Sequence, residues 1–322
     1  MTLPPRFPLA ALPTPLRRAE RLERALGGPP IFVKRDDLTG FAVAGNKARK
    51  LEFLVADALS GRCDVLVTGG GPGSNHCQAT AAVAGVAGMA CVLVLYGEPP
   101  AREHRNLRLA RAFGAEVRFT NDPERGSVDR GLEEAATGLR DAGRAPYVIP
   151  RGGASALGAV AYALAADELA QQLQAHSVEP GVVVVAAGSG GTQAGLVAGA
   201  VARGYPWRVV GAAVSRPVDE SRERVLDLAR GCAGLLGTPE AGEDDVDVRD
   251  ARGPGYGLPS PEGVAAARLA AETEGLLLDP VFTAKAFAVL VSMIRDGLDA
   301  PAVFVHTGGL ASVLSEGGLW DA

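Results

Sequence analysis

A chain of 322 residues, 47% hydrophobic and 21% charged, is long enough for one large domain or two moderate ones and has the composition of a globular enzyme. Its formal net charge of −5 excludes the basic excess that a nucleic-acid or acidic-membrane surface requires. Four histidines without an HxxxH or HExxH pair and four cysteines without CxxC spacing argue against a zinc site and a disulfide framework, and fit a reducing compartment.

The opening stretch "MTLPPRFPLAALPTPLRRAERL" carries prolines where a signal peptide needs an unbroken apolar segment, and no later apolar run is long enough to span a bilayer. The expected location is cytoplasmic. Short β-branched runs then alternate with Ala/Leu-rich stretches. Strands are predicted at 31–35, 64–69, 90–96, 116–120, 147–150, 182–187, 208–214 and 302–308. Helices are predicted at 46–59, 75–87, 102–113, 127–142, 156–174, 192–203, 218–235, 260–273 and 282–297. Such alternation predicts an α/β fold with a mostly parallel sheet, in which ligands bind beyond the carboxyl ends of the strands. No internal repeat is present, and the acidic stretch 237–255 reads as a long solvated loop.

Three glycine-rich corners carry chemistry. In "VVVVAAGSGGTQAGL" (182–196) a buried strand meets a glycine turn and then a helix, whose free N–H groups, with Ser189 and Thr192, make a cradle for one phosphate. It lacks the Gly-Lys-Ser/Thr of a P-loop, and Gln193 stands where a dinucleotide fingerprint needs glycine. Glycines that only pack helix on strand are the plainer alternative. In "VTGGGPGSNHCQATAAV" (67–83), Ser74 or Asn75 caps a helix whose free N–H groups suit a carboxylate such as that of an amino acid. Plain capping is compatible with this, His76 alone is an ordinary helix residue, and nothing around Cys77 depresses its pKa. In "FAVAGNKARKLEFL" (41–54), Lys47 follows a Gly-Asn turn in an apolar setting. It is a surface charge, a phosphate ligand or a nucleophile; desolvation would favour its neutral amine, which can condense with an aldehyde. Pyridoxal 5′-phosphate offers both an aldehyde and a single phosphate.

The segments "KRDDLTGFAVAGNKARKLEFL", "GSNHCQATAA", "GSGGTQAGL", "GPGYGLPSPEG", "LLLDPVFTAKA" and "VFVHTGG", in this order, resemble the D-cysteine desulfhydrase and 1-aminocyclopropane-1-carboxylate deaminase family, pyridoxal-phosphate enzymes of the tryptophan-synthase-β fold type. The resemblance runs from about residue 8 to residue 315. It implies two open, mostly parallel twisted sheets flanked by helices. It also implies a large cofactor domain of residues 1–48 and 157–322, a small domain of residues 49–156 that closes over substrate, and a homodimer. By the same resemblance Lys47 is the Schiff-base lysine and Lys50 the second, non-catalytic lysine. Asn75 bonds the pyridine 3′-oxygen, and Gly188, Ser189, Gly190, Gly191 and Thr192 form the phosphate loop. Ser74 holds the substrate carboxylate, with His76 and Phe282 on the substrate side, and Tyr256 lies beside the cofactor.

Thr283 and Thr307 stand where the deaminase branch resembles a Glu/Leu pair, so the resemblance favours the desulfhydrase branch, with threonine facing the pyridine nitrogen. Three departures from the family pattern remain: Gly73 for glutamine, Gln78 for arginine and Phe282 for tyrosine. The expected reaction is β-elimination on a small amino acid, with D-cysteine giving pyruvate, ammonia and sulfide. The alternatives are cyclopropane opening, a related lyase, replacement or isomerase reaction on another amino acid, and a cofactor-binding protein without catalysis.

Overall fold

The computed structural model describes residues 3–315; residues 1–2 and 316–322, the outer ends of the expected large domain, lie outside them. In chain order the first half contains β1 (Leu16–Arg18), α1 (Glu20–Leu26), β2 (Ile31–Lys34), α2 (Asn46–Ser60), β3 (Val65–Gly70), α3 (Asn75–Val86), β4 (Ala90–Leu95), α4 (Arg105–Ala112), β5 (Glu116–Phe119), α5 (Ser127–Asp141) and β6 (Pro146–Val148). The second half contains α6 (Ala156–Ala175), β7 (Val182–Ala187), α7 (Gly191–Arg203), β8 (Arg208–Ala213), α8 (Val218–Leu236), β9 (Asp247–Asp250), α9 (Pro261–Glu274), α10 (Thr283–Arg295), β10 (Ala302–Val305) and α11 (Leu310–Val313). The strands form a six-stranded sheet ordered β1-β2-β10-β7-β8-β9 and a four-stranded sheet ordered β5-β4-β3-β6. Every pairing is parallel except β1 with β2.

Strand side chains alternate between two faces, and β7 shows how both faces are buried. Val183 and Val185 enter a core shared with α6, α7 and α8. Val182 and Val184 enter another, shared with α1, α9 and α10. The smaller sheet repeats the pattern, with Leu66 and Leu93 against α2, α3 and α4 and Val65, Val67, Val92 and Val94 against α5. A sheet covered on both faces reads as continuous β-branched runs, which is why these strands were legible. The Ala- and Gly-rich helices allow close approach: a Cβ on Gly199 of α7 would lie 2.7 Å from the Ala163 carbonyl of α6.

Five short elements depart from the sequence expectation. The stretch 237–255 is not all loop, because β9 pairs with β8 from Val210↔Asp247 to Ala213↔Asp250. It is an edge strand whose Asp and Arg residues face outward while Val248 is buried; charged edges are how sheets avoid further pairing, and charge hid the strand. β1, α1 and α11, of three, seven and four residues, are too short to show a period. The strand expected over 302–308 stops at Val305, since Gly308 and Gly309 take φ of 104° and 102° and turn the chain into the cleft described next.

Candidate active site

A cleft opens beyond the carboxyl ends of β3, β7 and β10 and encloses about 950 Å³, its mouth included. Lys47 lies in its wall because the start of α2 is pinned twice. The Asn46 N–H donates to the Thr307 carbonyl at 2.9 Å, and Asn46 Nδ2 donates to Thr192 Oγ1 at 3.0 Å. Gly45 makes the corner with φ 55°, and a Cβ there would collide with the Thr307 carbonyl; only glycine fits. Enclosure of the Lys47 amine depresses its pKa to about 8, with the Asp279 carboxylate opposing the shift. Lys50, one turn further on, is fully buried. Its pKa lies well below the ordinary value through burial and then Lys47, and Lys50 is not among the residues lining the cleft.

The loop after β7 has its carbonyls tied outward. Gly188 O accepts from Ser215 Oγ at 2.8 Å and Arg216 Nη1 at 3.0 Å, and Ser189 O accepts from Arg224 Nε at 3.0 Å. The first N–H groups of α7 have no intrahelical acceptor, so the loop offers donors to an anion at a helix N-terminus. Gly188 is required where it stands, since its Cβ would lie 2.9 Å from the Phe282 ring.

After β3, Ser74 caps α3 by accepting the Cys77 N–H at 3.2 Å, and Asn75 Oδ1 accepts from Asn106 Nδ2 at 2.8 Å. The single proton of the Thr68 hydroxyl goes to Ile149 O at 2.8 Å. The His76 contact at 3.0 Å therefore has Nε2–H as donor, fixing the tautomer; His76 Nδ1 is buried without a partner. Burial, then Lys47 and Lys50, keeps His76 neutral. Burial also pushes the Cys77 thiol up to about 12, leaving it unreactive at neutral pH.

Lys47, Ser74, Asn75 and His76 line the cleft, as do Gly188, Ser189, Gly190, Thr192, Tyr256, Phe282 and Thr307. Gly191 and Thr283 are not among the lining residues. Gly191 instead meets Lys50, whose Nζ would lie 3.1 Å from a Cβ there. Thr283 is fully buried and donates its hydroxyl to Asp279 Oδ1 at 2.8 Å while accepting the Asp279 N–H at 2.7 Å. Sequence reasoning missed Asp279, Tyr96, Arg125, Arg151, Ser215 and Arg216, all in the lining. Asp279 caps α10: its Oδ2 accepts from Val281 and Phe282 N–H, and its Oδ1 from Thr283 N–H. Burial still pushes its pKa up. The loop carrying Tyr256 is held by buried Lys285, which donates to Arg252 O at 2.6 Å and Gly255 O at 3.0 Å.

Beneath α2 lies a buried charge network. Arg49 bonds both oxygens of Asp36 at 2.9 and 3.0 Å and both of Glu168 at 2.8 and 3.0 Å. Lys34 also pairs with Glu168, and the Tyr162 hydroxyl donates to Asp36. Two residues from Lys47, this network locks the rotation of α2.

A desolvated amine beside a glycine-built anion cradle, between two parallel sheets, defines an enzyme that holds a phosphorylated carbonyl cofactor. The chain belongs to the family of pyridoxal-phosphate dependent enzymes, which matches residues 8–308. It is similar to the D-cysteine desulfhydrases of Klebsiella pneumoniae (strain 342) and Salmonella choleraesuis (strain SC-B67), each 42% identical over 97% of this chain and 96% of the relative. It is also similar to a solved structure described as an ACC deaminase homologue, with TM-score 0.90 and 38% identity over 96% of this chain and 93% of that one. The residues present fit the cofactor: the Gly188–Thr192 cradle suits its phosphate and the Lys47 amine its aldehyde.

Only the neutral amine attacks a carbonyl. Because Lys47 titrates near 8 instead of at the ordinary lysine value, cofactor uptake by the cofactor-free protein is expected to rise about tenfold per pH unit up to about pH 8 and then level off. Growth of the visible absorbance band checks this; a rate still climbing at pH 10 would mean that the amine is not desolvated.

Proposed function

We propose that this chain is a D-cysteine desulfhydrase, releasing pyruvate, ammonia and sulfide. The observation that carries the reading is that Lys47 lines one cleft together with the anion cradle of α7 and the capped N-terminus of α3. When bound, the cofactor supplies an electron-withdrawing ring that stabilises negative charge at the substrate Cα. The α3 N-terminus at Ser74 and Asn75 binds the substrate carboxylate. The Lys47 amine takes the Cα proton as general base. The Cβ–S bond breaks with its electron pair leaving as hydrogen sulfide ion, and one water converts the remainder to pyruvate and ammonium. Phe282, edge-on to Tyr256 with ring centroids 6.2 Å apart, walls the reacting carbons from solvent.

The deaminase reading needs a carboxylate free to serve the cofactor ring. Asp279 is the carboxylate in the wall, and both its oxygens are occupied by N–H donors, one of them also by the Thr283 hydroxyl. This supports the desulfhydrase reading. Offered in parallel to the holoenzyme, D-cysteine is expected to turn over at least about a hundredfold faster than 1-aminocyclopropane-1-carboxylate; the reverse order would replace this reading with the deaminase one.

We further propose that residues 49–156, with the four-stranded sheet, form a small domain closing on the remainder, and that the enzyme is a cytoplasmic homodimer. Among the described residues no helix is long and apolar enough to cross a membrane.

A further inference from the structure

Three arginines line the cleft, and two have a carboxylate partner: Arg151 pairs with Asp129 at 2.7 Å and Arg216 with Glu220 at 2.7 Å. Arg125 has none among the described residues. Its guanidinium lies 3.9 Å above the Tyr256 ring, and Nη1 donates to Ser215 O at 3.2 Å. A guanidinium has five N–H donors, so most of its donor edge remains available. The backbone behind it is held, because Arg125 O accepts from Arg151 Nη1 at 3.0 Å. Tyr96, just past the end of β4, lines the same cleft, with its hydroxyl 2.9 Å from where a Gly71 Cβ would be. Burial raises the pKa of the Tyr256 phenol, while the nearby Arg125 charge lowers it and Tyr96 raises it.

On the reading that Lys47 meets the substrate amine and α3 its carboxylate, the β-substituent projects toward Tyr256. We propose that Arg125, with the Tyr96 and Tyr256 hydroxyls, forms a subsite for an anionic β-substituent, so that the preferred substrates are small amino acids carrying a second negative charge on the departing group. An unpaired cation held over a ring in a half-closed cleft recognises such a group strongly, since charge-assisted hydrogen bonds exceed neutral ones. Tyr96 thereby supplies the phenol that Phe282 lacks. With a sulfate ester as substrate the Cα proton goes to Lys47, the Cβ–O bond breaks, and its electron pair leaves with sulfate.

The test uses two isosteres that differ in charge and cannot eliminate, D-aspartate and D-asparagine, titrated into the holoenzyme with the cofactor absorbance as readout. Aspartate is expected to bind about tenfold or more tighter, a preference that Arg125→Gln erases and Arg125→Lys largely keeps. Equal affinities in the wild type, or a preference that survives Arg125→Gln, would overturn the assignment. In a kinetic arm, Arg125→Gln is expected to lower kcat/KM for D-serine O-sulfate about tenfold more than for β-chloro-D-alanine. Equal losses on both would make Arg125 a clasp between loops and would likewise overturn the proposal. Turnover of D-cysteine reports on the lyase reading separately: an inert enzyme that still prefers aspartate keeps the subsite and loses the lyase.

Discussion

Lys47→Ala is expected to lose about a thousandfold or more in pyruvate formation, the range of a removed general base with the cofactor attachment lost as well. The visible band of the bound cofactor should disappear while the urea midpoint stays close to that of the wild-type apoprotein, because the Lys47 N–H donates to the Ala44 carbonyl at 3.1 Å through the backbone, a bond that alanine keeps. Lys50→Ala is the control. Its amine is buried against Gly191, so the variant should keep the band and bind phosphate less well. A band that survives in the first variant and vanishes in the second would exchange the two roles.

Asp36→Ala is expected to be the most destabilising single change away from the cleft, by about 3–5 kcal/mol, because it leaves Arg49 buried with one of its two carboxylate partners gone. Arg49 and Asp36 are 3% and 1% exposed, so water cannot replace the lost carboxylate. The shift in urea midpoint at constant slope measures the cost. Burial alone would raise the Asp36 pKa, but the Arg49 guanidinium and the Tyr162 hydroxyl outweigh it and hold the carboxyl below its ordinary value. A carboxyl depressed in the folded state contributes stability that is fully present above its unfolded pKa, about 3.9, and is lost as pH falls through the lower folded value. Wild-type and variant stabilities should therefore differ most near neutrality and converge in strong acid. Because Arg49 is on α2, residual activity of the variant should also show a displaced Lys47.

The parts of the site legible in the sequence are those whose geometry is local. A glycine at position 45, an N-capping serine at 74 and a glycine-threonine loop at 188–192 each define a corner within a few residues, and the chain around each shows it. What escaped is assembled from distant pieces. Tyr96 ends one strand, Arg125 lies before α5, and Asp279 caps α10; no spacing along the chain relates them, and each alone is an ordinary strand-end, loop or capping residue. The motif around Thr283 places the residue but not its hydrogen-bond partner: its hydroxyl donates to Asp279 Oδ1. In the fold, two-sided burial made the central strands plain, while the charged edge strand β9 was masked by the same Asp and Arg residues that protect it.

On the proposed reading, the cleft uses Lys47 to eliminate the β-substituent of a small D-amino acid. The most direct measurement is the stoichiometry of sulfide, pyruvate and ammonia released from D-cysteine by the cofactor-loaded protein, with Lys47→Ala alongside. Equal amounts of all three are expected from the wild type and none above background from the variant. A wild-type protein with a normal cofactor band that releases no sulfide, or a variant that releases it as fast, would contradict that reading.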